Sequence, residues 1–154
     1  MNGQHQQRPK QYPQNQNERP AAKNWANEIK QDWMTLCLTD EAVFFAEKFS
    51  KHLVTDNPNS KDALTTNQIR NFFGEVRKIQ MGGFEKNKGS FVMLKPRLAF
   101  AKVRAMKEAK GSRFVDFEQV ILELMKNVSE EKHFQNFADM LEAIVAFHRA
   151  NNGK

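Results

Sequence analysis

The spacing of the apolar residues limits the fold of this chain more than any other feature. In the middle of the sequence they recur at positions i, i+3, i+4, i+7 and i+10, which share one face of an α-helix; they are Ile69, Phe72, Phe73, Val76 and Ile79. The same period recurs in the other segments that contain regularly spaced apolar residues. The sequence lacks the apolar–polar alternation that is typical of strands. We therefore predict an all-α fold, a compact five- to six-helix bundle.

Capping and turn residues set the expected limits of six helices. Thr39 is expected to cap the second helix, and Thr65 with Gln68 has the pattern of a capping box at the start of the third. Pro96 must lie in the first turn of the fourth helix or kink it. The third helix is expected to end before Gly82, and the other five are expected at 24–36, 40–54, 91–110, 114–128 and 130–150.

The first 23 residues differ from the rest in composition. They are rich in Gln, Asn and Pro, and such a segment buries too little apolar surface to offset its chain entropy. We predict a disordered tail at 1–23 and a single helical-bundle domain at 24–154. Cys37 is the only cysteine, and no apolar run approaches the roughly 18 residues of a membrane span. These features favour a cytoplasmic protein with no membrane partner.

The positive charge is concentrated in one part of the chain. The whole sequence has a formal net charge of +6, but residues 61–113 contain 13 Lys and Arg against four Asp and Glu. Most of these cations lie on the predicted amphipathic helices and not in a tail. A solvated basic surface and a surface for nucleic acid or another polyanion are both compatible with this pattern.

Six of these cations fall in pairs seven residues apart. Such residues are separated by about 10.5 Å along a helix and about 20 degrees around it, so each pair lies on one edge of its helix. The pairs are Arg70 with Arg77, Lys95 with Lys102, and Arg97 with Arg104. Gly74 removes a side chain near the first pair. It serves either the close approach of RNA or another protomer, or the packing of a neighbouring helix, and both readings stay open.

The sequence contains little that could support catalysis. Its four histidines show neither HxH nor HExxH spacing, Cys37 has no partner cysteine, and the carboxylates are spread over helix surfaces. His148 falls on an apolar helix face, where a packing or capping role is expected. We predict that the chain is not an enzyme and that it binds no metal or cofactor.

Three blocks of sequence carry a resemblance to a known family. They are LTTNQIRNFF at 64–73, LKPRLAFAKVR at 94–104 and EAIVAFHR at 142–149. In this order they resemble the small subunit of type III-A CRISPR effector complexes, the Csm complex. The resemblance places Arg70, Lys95, Arg97 and Arg104 at the family's basic positions, whereas Arg77 and Lys102 rest on helix geometry alone.

The resemblance also implies a function. A subunit of this family is present in several copies beside the guide RNA and its paired target RNA, contacts the backbone and large subunits, and performs no catalysis. The expected function is therefore sequence-independent binding of the RNA backbone and bridging of neighbouring subunits, with the six paired cations as the RNA-binding residues. Three alternatives remain at this point: a helix-turn-helix regulator that binds DNA, a basic helical module that binds another protein, and an undetected hydrolase that depends on His148.

Overall fold

A computed structural model of the protein describes residues 23–55, 57 and 59–152, the last of them by its backbone alone. The predicted disordered tail lies outside these residues except for Lys23. Lys23 forms an ion pair with Glu28 at 2.9 Å, and its ammonium lies 4.1 Å from the centre of the Trp25 ring. No helix in the described ranges combines the length and apolar character that crossing a bilayer requires.

Every regular element of the described chain is helical, which confirms the predicted all-α bundle. A 3₁₀ turn at Trp25–Glu28 comes first. It is followed by α1 (Asp32–Thr35), α2 (Asp40–Val54), α3 (Thr66–Gly82), α4 (Lys88–Val92), α5 (Leu94–Glu108), α6 (Phe114–Met125) and α7 (Glu131–Asn152).

The two predicted N-terminal caps are confirmed. The Thr39 hydroxyl accepts a hydrogen bond from the backbone N–H of Ala42 at 3.3 Å. Thr65 and Gln68 form a complete capping box, because each side chain accepts from the other residue's backbone N–H, at 3.1 and 2.8 Å. A cap of this kind is worth about 1 kcal/mol of stability. The starts of α2 and α3 are therefore fixed by local chemistry.

The continuous helix predicted at 24–36 is wrong. Asn24 caps the short 3₁₀ turn, and the backbone at Ile29 is extended, with φ −74° and ψ 130°, before α1 begins. The turn contacts α6 whereas α1 contacts α7, and the buried rings of Trp25 and Trp33 both pack against Phe45 of α2. An isolated helix of about 12 residues is marginal in water, and tertiary packing therefore decides the path of this segment.

The single helix predicted at 91–110 is also wrong, because the structure divides it into α4 and α5. Pro96 has no N–H to donate to the carbonyl of Val92, and its ring would clash with that carbonyl in a continuous helix. α4 ends at Val92, and α5 begins at Leu94. Pro96 thus lies in the first turn of α5, which was one of its two expected positions.

Eleven of the 31 buried apolar residues of the described chain are aromatic. Near the N-terminus, the rings of Trp25, Phe45 and Phe49 lie 5.4 to 6.0 Å apart between centroids. At the other end, Phe84 stacks on Phe134 at 5.1 Å. The buried residues form one continuous cluster, so the helices share a single core.

His148 joins three separate parts of this core. It is fully buried on α7, and its Nε2–H donates to the carbonyl of Leu64 at 2.8 Å. Leu64 in turn donates its backbone N–H to the carbonyl of Leu53, at the end of α2. Burial lowers the pKa of His148, and it outweighs the opposing effect of the hydrogen bond to Leu64. The folded protein therefore holds this imidazole neutral, as a packing residue.

The buried histidine predicts a loss of stability in mild acid. Unfolded His148 binds a proton with a pKa near the ordinary 6.5, whereas the folded state resists protonation. The unfolded state thus binds more protons below this pH, and the free energy of unfolding falls as the pH falls from above 6.5. His148→Gln keeps an amide donor for Leu64 but cannot titrate, so urea unfolding at several pH values should show a flatter dependence.

The matched control for this experiment is His133→Gln, on the same helix but not fully buried. An equal flattening by His133→Gln would show that the effect does not depend on the buried imidazole. A His148→Gln protein with the wild-type slope would contradict the assignment of a neutral, buried imidazole.

Candidate nucleic-acid interface

The arginine pair on α3 lies on the open surface of the protein. Ile69 and Val76 face the core, and the neighbouring Arg70 and Arg77 are exposed. The Arg77 guanidinium carbon lies 5.1 Å from the centre of the half-buried Phe73 ring. Within the described part of the chain, neither arginine forms an ion pair. Both guanidinium groups are thus available to an external anion.

The surface beside this pair is unobstructed. A Cβ atom added at the exposed Gly74 would meet no heavy atom within 4 Å among the described residues outside its own helix backbone and chain neighbours. No neighbouring helix of the described chain therefore requires glycine here, and the reading that Gly74 makes room for helix packing inside this fold is not supported. The close-approach reading remains, for a molecule outside the chain.

The cations at the start of α5 differ in their surroundings. Lys95 is exposed, and it has no ion pair in the described ranges. Arg97 is also exposed, but its guanidinium forms an ion pair with Glu75 of α3. Burial alone would raise the pKa of Glu75, and Lys78 and Arg97 together outweigh it, so the pKa lies below its usual value. Glu75 is thus an anion held between two cations.

The cations further along α5 differ in the same way. Lys102 Nζ lies 2.7 Å from Glu118 Oε1 on α6, and the two side chains are only 29% and 10% exposed. This ion pair connects α5 to α6. Arg104, by contrast, is exposed and has no carboxylate partner in the described chain, and its guanidinium carbon lies 5.8 Å from the centre of the Phe100 ring.

The six cations predicted as one RNA-binding set do not form a single strip. Glu75 marks the side of α3 that faces α5, and Arg70 and Arg77 lie about 140 and 160 degrees around the helix from it. Arg97 and Arg104 share a groove of about 350 Å³ between α3 and α5. The structure thus presents one arginine pair in this groove and the other on the far flank of α3.

Sequence reasoning missed an exposed apolar surface on α4, on α5 and on the residue between them. Its members, here called the outer apolar face, are Val92, Met93, Phe100, Val103 and Met106. The opposite side of α5 packs Leu94 and Leu98 into the core. Apolar residues on both sides of one helix were visible in the sequence, and a helix that is apolar on both sides is expected to be covered on both.

The described residues contain no group of three or more His, Cys, Asp or Glu that could hold a metal ion. One polar cluster joins α2 to the start of α6. His52 Nε2 lies 2.6 Å from Asp116 Oδ2, and Arg113 Nη1 lies 3.2 Å from the same ring nitrogen. The Trp25 ring, 5.0 Å from the imidazole between centroids, packs on the cluster. These contacts hold the two helices together.

Comparison with known families decides the identity of the chain. The model of the family described as Csm2 Type III-A matches residues 40–154, which include α2 to α7. The chain belongs to the Csm2 type III-A family. It is thus a small subunit of a type III-A CRISPR complex, which confirms the resemblance found in the sequence. No curated protein and no solved structure matches it.

The ion pairs of this Csm2-family chain predict different effects of removing two lysines from α5. Lys102→Met leaves the largely buried Glu118 without its partner, whereas Lys95→Met removes an exposed, unpaired cation. We expect Lys102→Met to lower the free energy of unfolding by about 1 to 2 kcal/mol relative to Lys95→Met. Urea denaturation followed by circular dichroism measures the difference. Equal stabilities would show that the Lys102–Glu118 pair is not structural.

Gly74→Ala should stabilise the protein. The added methyl group enters open space, and alanine in an exposed helix interior is favoured over glycine by about 0.5 to 1 kcal/mol. The same denaturation experiment should show an increase of this size. Gly89→Ala is a useful comparison, since that residue also has free space and lies in the short α4. A lower free energy of unfolding for Gly74→Ala would contradict the finding that the surface at Gly74 is open.

Proposed function

We propose that this chain is a non-catalytic, sequence-independent RNA-binding subunit of its complex, with residues 24–154 acting as one domain. Its exposed cations contact the sugar-phosphate backbone of the guide RNA and the paired target RNA. Membership of the Csm2 family supports this role, and so does the concentration of positive charge on α3 and α5. The chain acts in the cytoplasm, in several copies, together with the backbone and large subunits.

One observation carries the proposal. Arg70 and Arg77 lie seven residues apart on an exposed edge, have no carboxylate partner in the described chain, and flank the unobstructed surface at Gly74. Binding a phosphate there breaks no ion pair of the protein. Contacts to phosphates position a nucleic acid without reading its sequence, which fits a subunit that must accept any guide.

The remaining cations take unequal parts in this function. Lys95 and Arg104 are exposed and unpaired in the described ranges, so they contact phosphates directly. Arg97 reaches a phosphate by exchanging its partner Glu75. Lys102 contributes by its charge while it remains bound to Glu118. The proposed set is therefore the predicted one, with four direct contacts and two that depend on existing ion pairs.

The outer apolar face supports the bridging part of the proposal. Several large apolar side chains exposed on one segment favour an interaction site there, since leaving them in water is unfavourable. The face lies on α4 and α5, away from the arginine edge of α3. A neighbouring subunit can therefore cover it while Arg70 and Arg77 remain accessible to RNA.

A helix-turn-helix function has less support. That motif joins its two helices by a turn of three or four residues. Eleven residues, 55–65, separate α2 from α3, which is the helix that would read DNA. The helix directly before α2 is α1, which has only four residues.

A charge-reversal experiment tests the proposed arginine edge. Arg70→Glu with Arg77→Glu should weaken binding to single-stranded RNA by about tenfold or more, because charged contacts contribute about 1 kcal/mol or more each. Melting temperature should stay near wild type, since both side chains are exposed. Fluorescence anisotropy with labelled RNA measures the affinity, and duplex DNA of equal length serves as competitor.

The matched control is Lys132→Glu with Arg149→Glu, which changes two exposed α7 cations by the same charge. It should retain most of the affinity. Equal losses of RNA affinity in the two double variants would show that net charge, and not the arginine edge, determines binding. A preference for duplex DNA would favour the DNA-binding regulator.

Salt should weaken RNA binding steeply. On single strands, the logarithm of the affinity falls with the logarithm of the salt concentration, with a slope of about −0.7 for each phosphate contact. Four to six contacts therefore predict a slope of about −3 to −4. Arg70→Glu with Arg77→Glu should make the slope shallower by about 1.4. A flat response in the wild-type protein would exclude the electrostatic mechanism.

A further inference from the structure

We propose that the groove between α3 and α5 holds one unstacked nucleobase of the bound RNA. The inference rests on the proposed RNA-binding function and adds to it a contact with a base. It identifies a base site that lies apart from the Arg70–Arg77 edge and beside the phosphate-binding Arg97 and Arg104.

The size and floor of the groove fit a flat heterocycle. Its volume of about 350 Å³ falls within the range of roughly 300 to 1,000 Å³ that is usual for small-ligand sites. Phe72, Leu98 and Phe114 form the apolar floor, and all three are buried against the core. Packing neighbours fix these side chains, so the floor is present before a ligand arrives.

Two free amides provide polar contacts on the α3 wall. Asn67 and Asn71 lie one helical turn apart at the groove and are exposed, and neither forms a hydrogen bond with the described chain. Each amide offers both donors and an acceptor. This combination matches the edges of nucleobases, which proteins read when single-stranded RNA is splayed out. Gln68 is less available because its Oε1 already accepts from Thr65.

The charge of the groove favours a base over a second phosphate. Its lining contains two carboxylates, Glu75 and Glu108, and two guanidinium groups, Arg97 and Arg104. The four charges sum to zero, so the interior suits a neutral group. Arg104 has no carboxylate partner in the described ranges, and it can bind the phosphate attached to the inserted nucleotide.

The experiment separates bases from backbone. Two oligonucleotides share one sugar-phosphate backbone, one with natural bases and the other with stable abasic spacers at its internal positions. Affinities are measured for the full-length wild type, for Asn67→Ala with Asn71→Ala, and for Ala101→Phe, which places a ring in the groove. Asn27→Ala with Gln119→Ala, two exposed amides outside the groove, is the matched control.

The wild type and the control should bind the base-containing strand more tightly than the abasic strand, by about fivefold or more. Both groove variants should lose most of this difference, and Asn67→Ala with Asn71→Ala should keep the wild-type affinity for the abasic strand. Because Asn67 and Asn71 are exposed, their replacement tests the groove even if Ala101→Phe disturbs the fold.

Two results would overturn the inference while leaving the proposed function intact. In the first, the wild type binds both strands equally, so that bases contribute nothing. In the second, the preference for bases survives in the groove variants, which would move the base contact to another surface. If the wild type binds neither strand, the proposed RNA-binding function itself fails, and this inference fails with it.

Discussion

The packing of α7 against its neighbours is the constraint on which the rest of the structure depends. This 22-residue helix contacts α1, α2 and α3, and it buries phenylalanines near its start and His148 near its end. Ser50 of α2 adds a specific connection, since its hydroxyl lies 2.9 Å from the carbonyl of Ile144 on α7. With the positions of α2 and α3 fixed in this way, the outer side of α3 can tolerate an open glycine and unpaired arginines.

The charges of this protein divide into those that hold helices together and those that remain free. The Lys102–Glu118 ion pair joins α5 to α6 at a partly buried site, and the Asp116 carboxylate joins α6 to His52 of α2. Arg70 and Arg77 join nothing in the described chain. Net charge alone does not reveal this division. A count of all the cations on a basic surface therefore overestimates the number that a phosphate backbone can bind. The accessible arginines are the better guide to function.

The sequence allowed the local features to be predicted but not those that depend on packing between helices. The caps at Thr39 and Thr65 and the exposure of Arg70 and Arg77 followed from residue type and helical period. The ion pair of Arg97 with Glu75 spans 22 residues and exists only because α3 lies beside α5. The groove, too, exists only because α3 lies beside α5. The break between α4 and α5 was visible in Pro96, whereas the division of the first helix depended on contacts with α6 and α7.

The two carboxylates that bind cations of α5 differ in one further respect. Glu75 has two positive neighbours, Lys78 and Arg97, whereas Glu118 has Lys102 as its ion-pair partner in the described chain. If Arg97 turns to a phosphate, Glu75 is still neutralised by Lys78. If Lys102 did the same, a largely buried negative charge would be left uncompensated. α5 thus carries one exchangeable cation and one locked cation, and the number of neighbours around each carboxylate decides which is which.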